Sequence, residues 1–355
     1  MTVDPTQHWT STSAEPFPPQ RGRRLRAARV VVLAAALTLG GAGLATAEPS
    51  GDEPETTTLS ESAQDSAQEY WSAERMEAAT PAGELVEDLA ATATEVVETA
   101  APVEVPSVAG GTQPQTGTSP QEASEAAQPQ AAPGDAAPAA VASNTDHIGK
   151  VFFTQGGVDY VCSGNAVASG NQATVATAGH CVHEAGSWAT NWVFAPGYHE
   201  GETPYGLWSG AELFSTDQWV SSEDINYDVA FAVVEPESGD ATLSETVGAS
   251  GIAFNQERGG LYTSYGYPAA APFDGQTLES CQGYGMDDTL GGTDDQGIEC
   301  DMTGGSSGGP WFSGDGPDGY QTSVNSFGYS AQPGVMYGPY FGDAAQEVYA
   351  EAGAS

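Results

Sequence analysis

The chain has 355 residues, with 48 acidic residues against 8 basic ones, and carries a formal net charge of −40 at neutral pH. So acidic a surface repels phosphate backbones and anionic lipids, which excludes nucleic-acid binding and argues against lasting association with a membrane. The four cysteines, Cys162, Cys181, Cys281 and Cys300, lack the close CxxC spacing of a zinc site, and we expect no metal or cofactor.

The first 47 residues carry the features of an export signal. Most of the basic residues lie within 21–29, an apolar run follows over 30–44, and Ala45-Thr46-Ala47 supplies the small residues of a cleavage site. We therefore expect residues 1–47 to be a signal peptide with a disordered N-terminus, cleaved after Ala47, so that the protein is secreted. The alternative is an uncleaved membrane anchor, for which the glycine-interrupted run is short.

Residues 48–143 form an acidic, low-complexity segment rich in Ala, Glu, Thr, Gln and Pro. Two pieces, 69–79 and 83–99, are predicted to be helical, and residues 102–142 have the composition of an extended linker. The functional interpretation is a removable pro-segment that restrains a secreted enzyme before export. The alternative is a passive spacer.

From about Asp146 onward, short runs rich in β-branched and aromatic residues alternate with Gly, Asn, Asp and Ser turns. No long amphipathic pattern appears before a helix predicted over 344–350. Many short strands without interleaved helices indicate an all-β barrel or sandwich. The predicted strands are 150–154, 158–162, 173–177, 192–195, 229–235, 261–267, 309–313 and 321–327.

Three motifs carry residue types suited to nucleophilic catalysis. They are Thr177-Ala178-Gly179-His180-Cys181, Tyr227-Asp228-Val229-Ala230, and Gly304-Gly305-Ser306-Ser307-Gly308-Gly309-Pro310. A serine hydroxyl needs a base to attack an amide, and a neutral imidazole oriented by a carboxylate supplies one. Asp228 opens an apolar run and so needs a partner if it is buried, whereas Asp224 lies in a polar loop.

In this chain order the three motifs resemble those of the chymotrypsin-fold (trypsin-like) serine peptidases, of the bacterial secreted type near the V8-like glutamyl endopeptidases. The resemblance implies two packed six-stranded antiparallel β-barrels with a C-terminal helix, formed by residues 144–355. It also implies that Ser307 is the nucleophile, His180 the base and Asp228 the orienting acid. The backbone N–H groups of Gly305 and Ser307 would form the oxyanion hole.

Substrate recognition is inferred from two shorter matches to that family. Ser326, Phe327 and Gly328 resemble the strand whose backbone pairs with an extended substrate. Asp301 precedes Ser307 by the spacing at which trypsin places the acid that reads Lys or Arg, although Cys300 does not match the trypsin pattern. Glutamate specificity is disfavoured, because no histidine follows His199.

Other residues are weighed for roles in catalysis or metal binding. Ser306 is a minor candidate for the nucleophile, and as a serine it lacks the carboxylate with which animal relatives pair a new N-terminus. His183 is expected in a surface loop, and neither His147 nor His199 has a motif around it. The pairs Asp287-Asp288 and Asp294-Asp295 could bind Ca²⁺, but a solvated turn is preferred.

The four cysteines allow three pairings, which the sequence alone does not distinguish. The local pairing, Cys162 with Cys181 and Cys281 with Cys300, is favoured. Bacterial members of the resembled family support the first of these bridges. A disulfide framework requires an oxidising compartment, in agreement with export.

The sequence thus predicts a secreted, monomeric serine endopeptidase that acts on protein or peptide substrates through an acyl-enzyme. One alternative is an inactive pseudo-peptidase that serves as a secreted binding module. Another is a secreted esterase, which would place its serine before the acid and the histidine. Here His180 comes first, which favours the peptidase.

Overall fold

The protein is represented by a computed structural model that describes residues 53–85, 93–94, 100–110, 145–236, 239–314 and 316–355. The predicted signal peptide, residues 1–47, lies outside this part. Within it, no helix is long and apolar enough to cross a membrane.

Ahead of residue 145, the described residues form two short helices and three short strands. They are β1 (Glu55–Thr58), α1 (Glu61–Tyr70), α2 (Ala73–Ala78), β2 (Thr80–Pro81) and β3 (Val103–Val105). Ser60 and Ser72 begin the two helices as N-caps, since each hydroxyl accepts a backbone N–H of the first turn. A 3₁₀ turn, Ala82–Leu85, follows β2. These residues, 53–85, belong to the segment 48–143 that the sequence predicts to be a pro-segment and linker, and the term pro-segment below refers to residues 53–85 only.

From residue 145 the chain is mostly β-structure. The strands are β4 (Ile148–Gln155), β5 (Val158–Val167), β6 (Thr174–Thr177), β7 (His183–Glu184), β8 (Ser187–Trp188), β9 (Thr190–Pro196), β10 (Trp208–Ser215), β11 (Ala230–Pro236), β12 (Gly251–Phe254), β13 (Leu261–Gly266), β14 (Glu279–Tyr284), β15 (Met286–Asp287), β16 (Gln296–Glu299), β17 (Pro310–Ser313), β18 (Tyr320–Val324) and β19 (Val335–Gly338). The helices are α3 (Asp217–Ser222), α4 (Leu243–Val247) and α5 (Asp343–Ala352).

Six strands close into an antiparallel barrel. They follow the order β10, β11, β6, β5, β4, β9, and β9 pairs again with β10. Because side chains alternate along a strand, Val151 and Phe153 of β4 pack inside with Trp192. Phe152, between them, packs on the other face with Trp71 of the pro-segment. The pro-segment therefore covers one outer face of the barrel.

The second half contains two sheets. One has the strand order β14, β13, β17, β18, β12, β3, and the other has the order β15, β16, β19. Trp311 of β17 and Ile298 of β16 share one apolar cluster, which packs the two sheets together. A closed six-stranded barrel, a second sheet system and a C-terminal helix confirm the predicted all-β fold class. The second expected barrel takes the form of these two sheets.

The segment predicted to be a pro-segment and linker contributes three strands to the folded part. β1 pairs antiparallel with β10, β2 pairs parallel with β5, and β3 pairs antiparallel with β12. The structure therefore places a strand at 103–105, where the composition indicates an extended linker. Helices occupy 61–70 and 73–78. Of the helix predicted over 83–99, residues 83–85 lie in the 3₁₀ turn, and residues 86–92 and 95–99 lie outside the described residues.

Candidate active site

His180 lies in a short turn directly after β6. Residues Gly179–Cys181 form this turn, and the Cys162–Cys181 disulfide ties it to β5. A Cβ at position 179 would lie 2.8 Å from the Trp219 ring, so glycine allows the turn to pack against α3. The His180 side chain is fully buried as a result.

Asp228 holds His180 through both of its carboxylate oxygens. Its Oδ1 accepts the backbone N–H of His180 at 2.8 Å, and its Oδ2 accepts the ring Nδ1–H at 2.8 Å. The Ser326 hydroxyl also donates to Oδ2, at 2.5 Å. Since a carboxylate only accepts, the ring proton lies on Nδ1. Three donors thus compensate a charge that would be costly to bury alone.

The environment of His180 favours a ring that can take up a proton. Burial lowers the pKa of His180, but the charge and hydrogen bond of Asp228 more than offset this and raise the pKa above its ordinary value. Among the described residues, the ring Nε2 has no hydrogen-bond partner. An imidazole fixed through Nδ1 and open at Nε2 is arranged to act as a general base.

The loop of Ser307 depends on glycine at two positions with positive φ. Gly305 has φ +96° and Gly308 has φ +79°. A Cβ on Gly308 would lie 2.2 Å from Thr177 Oγ1, so no larger residue fits between this loop and β6. The carbonyl of Ser307 accepts the N–H of Ser163 at 2.7 Å, which joins the loop to β5. Ser307 is therefore held beside the strand that carries Cys162.

The N–H groups of this loop fall into two classes. Those of Ser306, Gly308 and Gly309 donate to the carbonyls of Thr303, Asn325 and Ser306. In the described part of the chain, the N–H groups of Gly305 and Ser307 donate to no acceptor. Two unused donors on a tightly held turn can stabilise a negative oxygen. The Ser306 hydroxyl is itself engaged, donating to Thr303 O at 2.8 Å.

A cavity of about 450 Å³ adjoins Ser307. Asp301 lines it with an exposed side chain, and Ser326, Phe327 and Gly328 line it as well. The Phe327 ring is buried and stacks on Tyr337 at 5.2 Å between centroids. Apart from Asp301, the lining residues carry no charge. They are Gly83, Ala270, Cys300, Met302, Thr303, Gly304, Ser306, Ser307, Tyr329, Ser330, Gln332, Pro333, Gly334, Val335 and Met336.

Two sequence-based expectations about other polar residues are wrong. His183 is not in a surface loop but is 3% exposed, with its ring edge-on to Trp188. Asp288 and Asp295 do not form a solvated turn, since they are 6% and 1% exposed. Asp288 folds the turn inward by accepting the N–H groups of Leu290, Gly291 and Thr293. Acidic composition alone gave no sign of this burial.

Sequence reasoning missed two groups that contact the His180–Asp228 pair. The hydroxyl of Ser326 was considered only as part of a substrate-binding strand, yet it bonds to Asp228. Trp219 packs against the His180 ring at 6.3 Å between centroids and donates its indole N–H to His183 O. Both contacts join residues far apart in the chain, so local motifs could not reveal them.

The cysteines pair locally, Cys162 with Cys181 and Cys281 with Cys300, as the sequence analysis favours. In the described part of the chain, one cluster has the spacing of a metal site, namely Cys162, His180 and Cys181. Both of its sulfurs are bonded to each other, and a metal ligand must be a free thiolate. This cluster therefore does not fit a metal ion.

Comparisons with known proteins give matches to a family and to solved structures. The model of the trypsin family matches residues 137–342. A thermostable serine protease, AL20, from an extremophilic microorganism is 53% identical, with a TM-score of 0.58 over 59% of this chain and 98% of that one. The protease Anisep from Arthrobacter nicotinovorans is 50% identical, with a TM-score of 0.58 over 60% and 97%.

A curated relative gives a shorter match. An extracellular metalloprotease of Bacillus subtilis (strain 168) is 43% identical over 70 residues, which is 19% of this chain. The match spans only about 21% of that relative's length.

Proposed function

The chain belongs to the trypsin family of serine-type peptidases, and on that premise we propose that it is a secreted endopeptidase with Ser307 as nucleophile, His180 as base and Asp228 as the acid that orients it. The observation that carries this assignment is the double contact of Asp228 with His180, at 2.8 Å from each carboxylate oxygen. It fixes the ring position and tautomer that the reaction requires.

In the proposed reaction, His180 Nε2 takes the proton of the Ser307 hydroxyl as its oxygen attacks the substrate carbonyl carbon. The carbonyl oxygen becomes an oxyanion, stabilised by the N–H groups of Gly305 and Ser307. His180 then passes the proton to the leaving amine as the C–N bond breaks, which leaves an acyl-enzyme. Water repeats the sequence and releases the acid.

The choice of Ser307 over Ser306 as nucleophile is supported by the hydrogen bond that the Ser306 hydroxyl makes. Ser306 Oγ is bound to the Thr303 carbonyl, which ties that side chain to its own loop. A nucleophile needs an oxygen open to the base and to the substrate. Ser306 therefore acts as a support of the loop in this proposal.

Substrates are proteins or peptides, and we propose that they bind in extended form along Ser326, Phe327 and Gly328. The side chain before the cleaved bond enters the adjoining cavity, where Asp301 favours Lys or Arg. Because Asp301 is exposed, its charge is screened, and Asp301→Asn should lower kcat/KM for a lysyl substrate only about fivefold. If Asp301→Asn keeps the same ratio of kcat/KM for lysyl and alanyl substrates, Asp301 does not determine this preference.

The two disulfides support secretion, because such bonds persist in oxidising compartments. The competing function, an inactive binding module, is disfavoured because Asp228 holds His180 through two hydrogen bonds and the N–H groups of Gly305 and Ser307 donate to no acceptor among the described residues.

The test is labelling with a fluorophosphonate, which reacts only with an activated serine, on secreted protein freed of its N-terminal segment. We expect the adduct on Ser307, and Ser307→Ala to lower casein hydrolysis by about 10⁴-fold or more. Ser306→Ala is the matched control and should cost less than about tenfold. An adduct on Ser306, or none on trimmed and folded protein, would overturn the assignment.

A further inference from the structure

Residues 80–85 of the pro-segment lie at the proposed active site. β2, residues Thr80–Pro81, lies parallel beside Tyr160–Val161 of β5. The following turn, Ala82–Leu85, packs against both β5 and the Gly179–Cys181 turn that carries His180. Ala82 is fully buried in the same apolar cluster as Cys162 and Cys181. The pro-segment therefore reaches the base of the proposed triad.

Gly83 lies directly over the nucleophile loop. A Cβ built on Gly83 would lie 3.5 Å from Ser307 Oγ and 2.9 Å from Gly304 Cα. A Cβ on Gly304 would in turn lie 3.0 Å from Pro81 Cβ. Ser307 is consequently only 3% exposed. A substrate peptide cannot place a carbonyl at Ser307 while this backbone is there.

Contacts outside the cleft hold the pro-segment in place. Arg75 Nη1 lies 3.1 Å from Asp159 Oδ2, and the Tyr70 hydroxyl donates to Asp159 Oδ1 at 2.9 Å. The Trp71 indole donates to Asn191 O at 2.6 Å, and the ring packs on Phe152. The cleft segment is thus the end of a docked unit, in which two helices bring Gly83 to Ser307.

Two residues further along the chain, Ala93 and Thr94, contact a different part of the fold. Ala93 packs against the cluster that contains Trp219 and Phe327. Thr94 donates its N–H to Asp224 Oδ2 at 3.1 Å. The chain therefore enters beside Tyr160 and is found again, at 93–94, on the Phe327 side.

This direction is opposite to that of a productive substrate. The acyl half stays bonded to Ser307 and puts its side chain into the cavity, which Ser326–Gly328 line. In this binding mode the amine half leaves on the side of Ser307 away from these residues, and Tyr160 and Val161 are not among the residues that line the cavity. A substrate thus runs from the Phe327 side to the Tyr160 side, whereas residue 80 lies beside Tyr160 and residue 93 near Phe327.

We propose that the pro-segment keeps the enzyme latent by laying Thr80–Gly83 across the cleft in the reversed chain direction. This proposal rests on the peptidase function proposed above. Reversal explains how a peptidase tolerates its own chain over its nucleophile. In a reversed peptide the amine half of each bond faces the substrate cavity. It then lies away from the side on which His180 would protonate it. The segment therefore blocks the cleft without being cleaved.

The test compares fluorophosphonate labelling rates of Ser307 in the uncut secreted chain and in variants that displace the segment. Gly83→Trp cannot fit against Gly304 and should speed labelling. If the blocked form is about 90% populated or more, the gain is about tenfold or more. Trp71→Ala, which removes a distant anchor, should do the same. Ala78→Trp, at an exposed position of the same segment, is the matched control and should leave the rate unchanged.

Chain direction is tested by mass spectrometry of the pro-segment after a cut in the linker has activated the protein. The bonds of residues 81–84 should stay intact while casein is hydrolysed. Cleavage at these bonds would show a segment bound as substrate and would overturn the reversal. Equal labelling of uncut, variant and trimmed protein would overturn latency but leave the function standing. No labelling of any form would overturn both.

Discussion

At the scale of single residues, the contact between Asp228 and His180 sets the pH range of activity. The proposed base works only when neutral, and Asp228 raises the pKa of His180 above its ordinary value. Activity should therefore fall as the pH drops through this raised pKa, at a pH above about 6.5.

Asp228→Asn should lower kcat/KM by about 10³–10⁴-fold. It should also shift the acid limb of the pH profile to lower pH, because burial then lowers the pKa of His180 with only the charge of Glu184 opposing it. The measurement is kcat/KM against pH on activated protein. Asp224→Asn is the control, since Asp224 is buried nearby but has no contact with His180. If the acid limb of the profile lies at the same pH in the Asp228 variant and the wild type, Asp228 does not raise the pKa of His180.

Asp295 destabilises the fold when it ionises. It is buried, neither of its carboxylate oxygens has a hydrogen-bond partner among the described residues, and burial followed by the charge of Asp228 raises its pKa well above the ordinary value. A raised carboxyl pKa means that the folded state keeps a proton that the unfolded chain releases. Stability is thus full below about pH 4 and is lost as the pH rises.

Relative to the wild type, the free energy of unfolding of the Asp295→Asn variant should increase with pH above pH 4, by at most about 1.4 kcal/mol per pH unit. Thermal unfolding of both proteins between pH 4 and 7 measures this difference. Asp287→Asn, at an exposed neighbouring position, should show a constant offset. A pH-independent offset for the Asp295 variant would refute the assignment.

At the scale of elements, the Cys281–Cys300 disulfide joins β14 to the residue that follows β16. Cys300 also lines the substrate cavity next to Asp301. Replacing both cysteines by alanine should lower the free energy of unfolding by about 3 kcal/mol, as expected for a loop of this length. KM should rise more than kcat falls, because the cavity wall loosens while the triad keeps its contacts. Denaturant melts and steady-state kinetics test both parts.

Each of three elements that the sequence did not predict has its own physical cause. β10 carries a bulge between Gly210 and Glu212, which breaks the period of two that marks a strand. Helix α1 buries only Gln64 and Ala67, so it lacks an apolar stripe of helical period. β3 lies in linker-like sequence and is a strand because β12 offers it an edge. The triad motifs, by contrast, were visible because each is defined by a few adjacent residues.

At the scale of the whole molecule, 48 acidic residues against 8 basic ones create strong self-repulsion in the compact state. Salt screens this repulsion, so Tm should rise by about 3 °C or more between 10 mM and 300 mM NaCl, for a gain of about 1 kcal/mol. The rise should shrink at pH 4, where carboxylates begin to lose their charge. A Tm that is flat or falls with salt at pH 7 would contradict the expectation.

At this scale, the docking position of the pro-segment was the property that the sequence predicted least. The motifs place His180, Asp228 and Ser307 from local sequence. The contact of Gly83 with Ser307 depends on how two helices dock on the barrel, and no local pattern encodes it. Composition alone favoured a pro-segment but gave no sign of where it binds.

The pairing of β3 with β12 means that the chain ahead of residue 145 is fastened at two places. β1 and β2 bind the first barrel, and β3 binds the second half. After a single cut beyond residue 110, each attachment keeps the other at high effective concentration, and release is slowed by avidity. A second cut, between residues 85 and 100, turns one bivalent ligand into two monovalent ones that leave separately. Activation by this route would show a lag between the first cleavage and full activity.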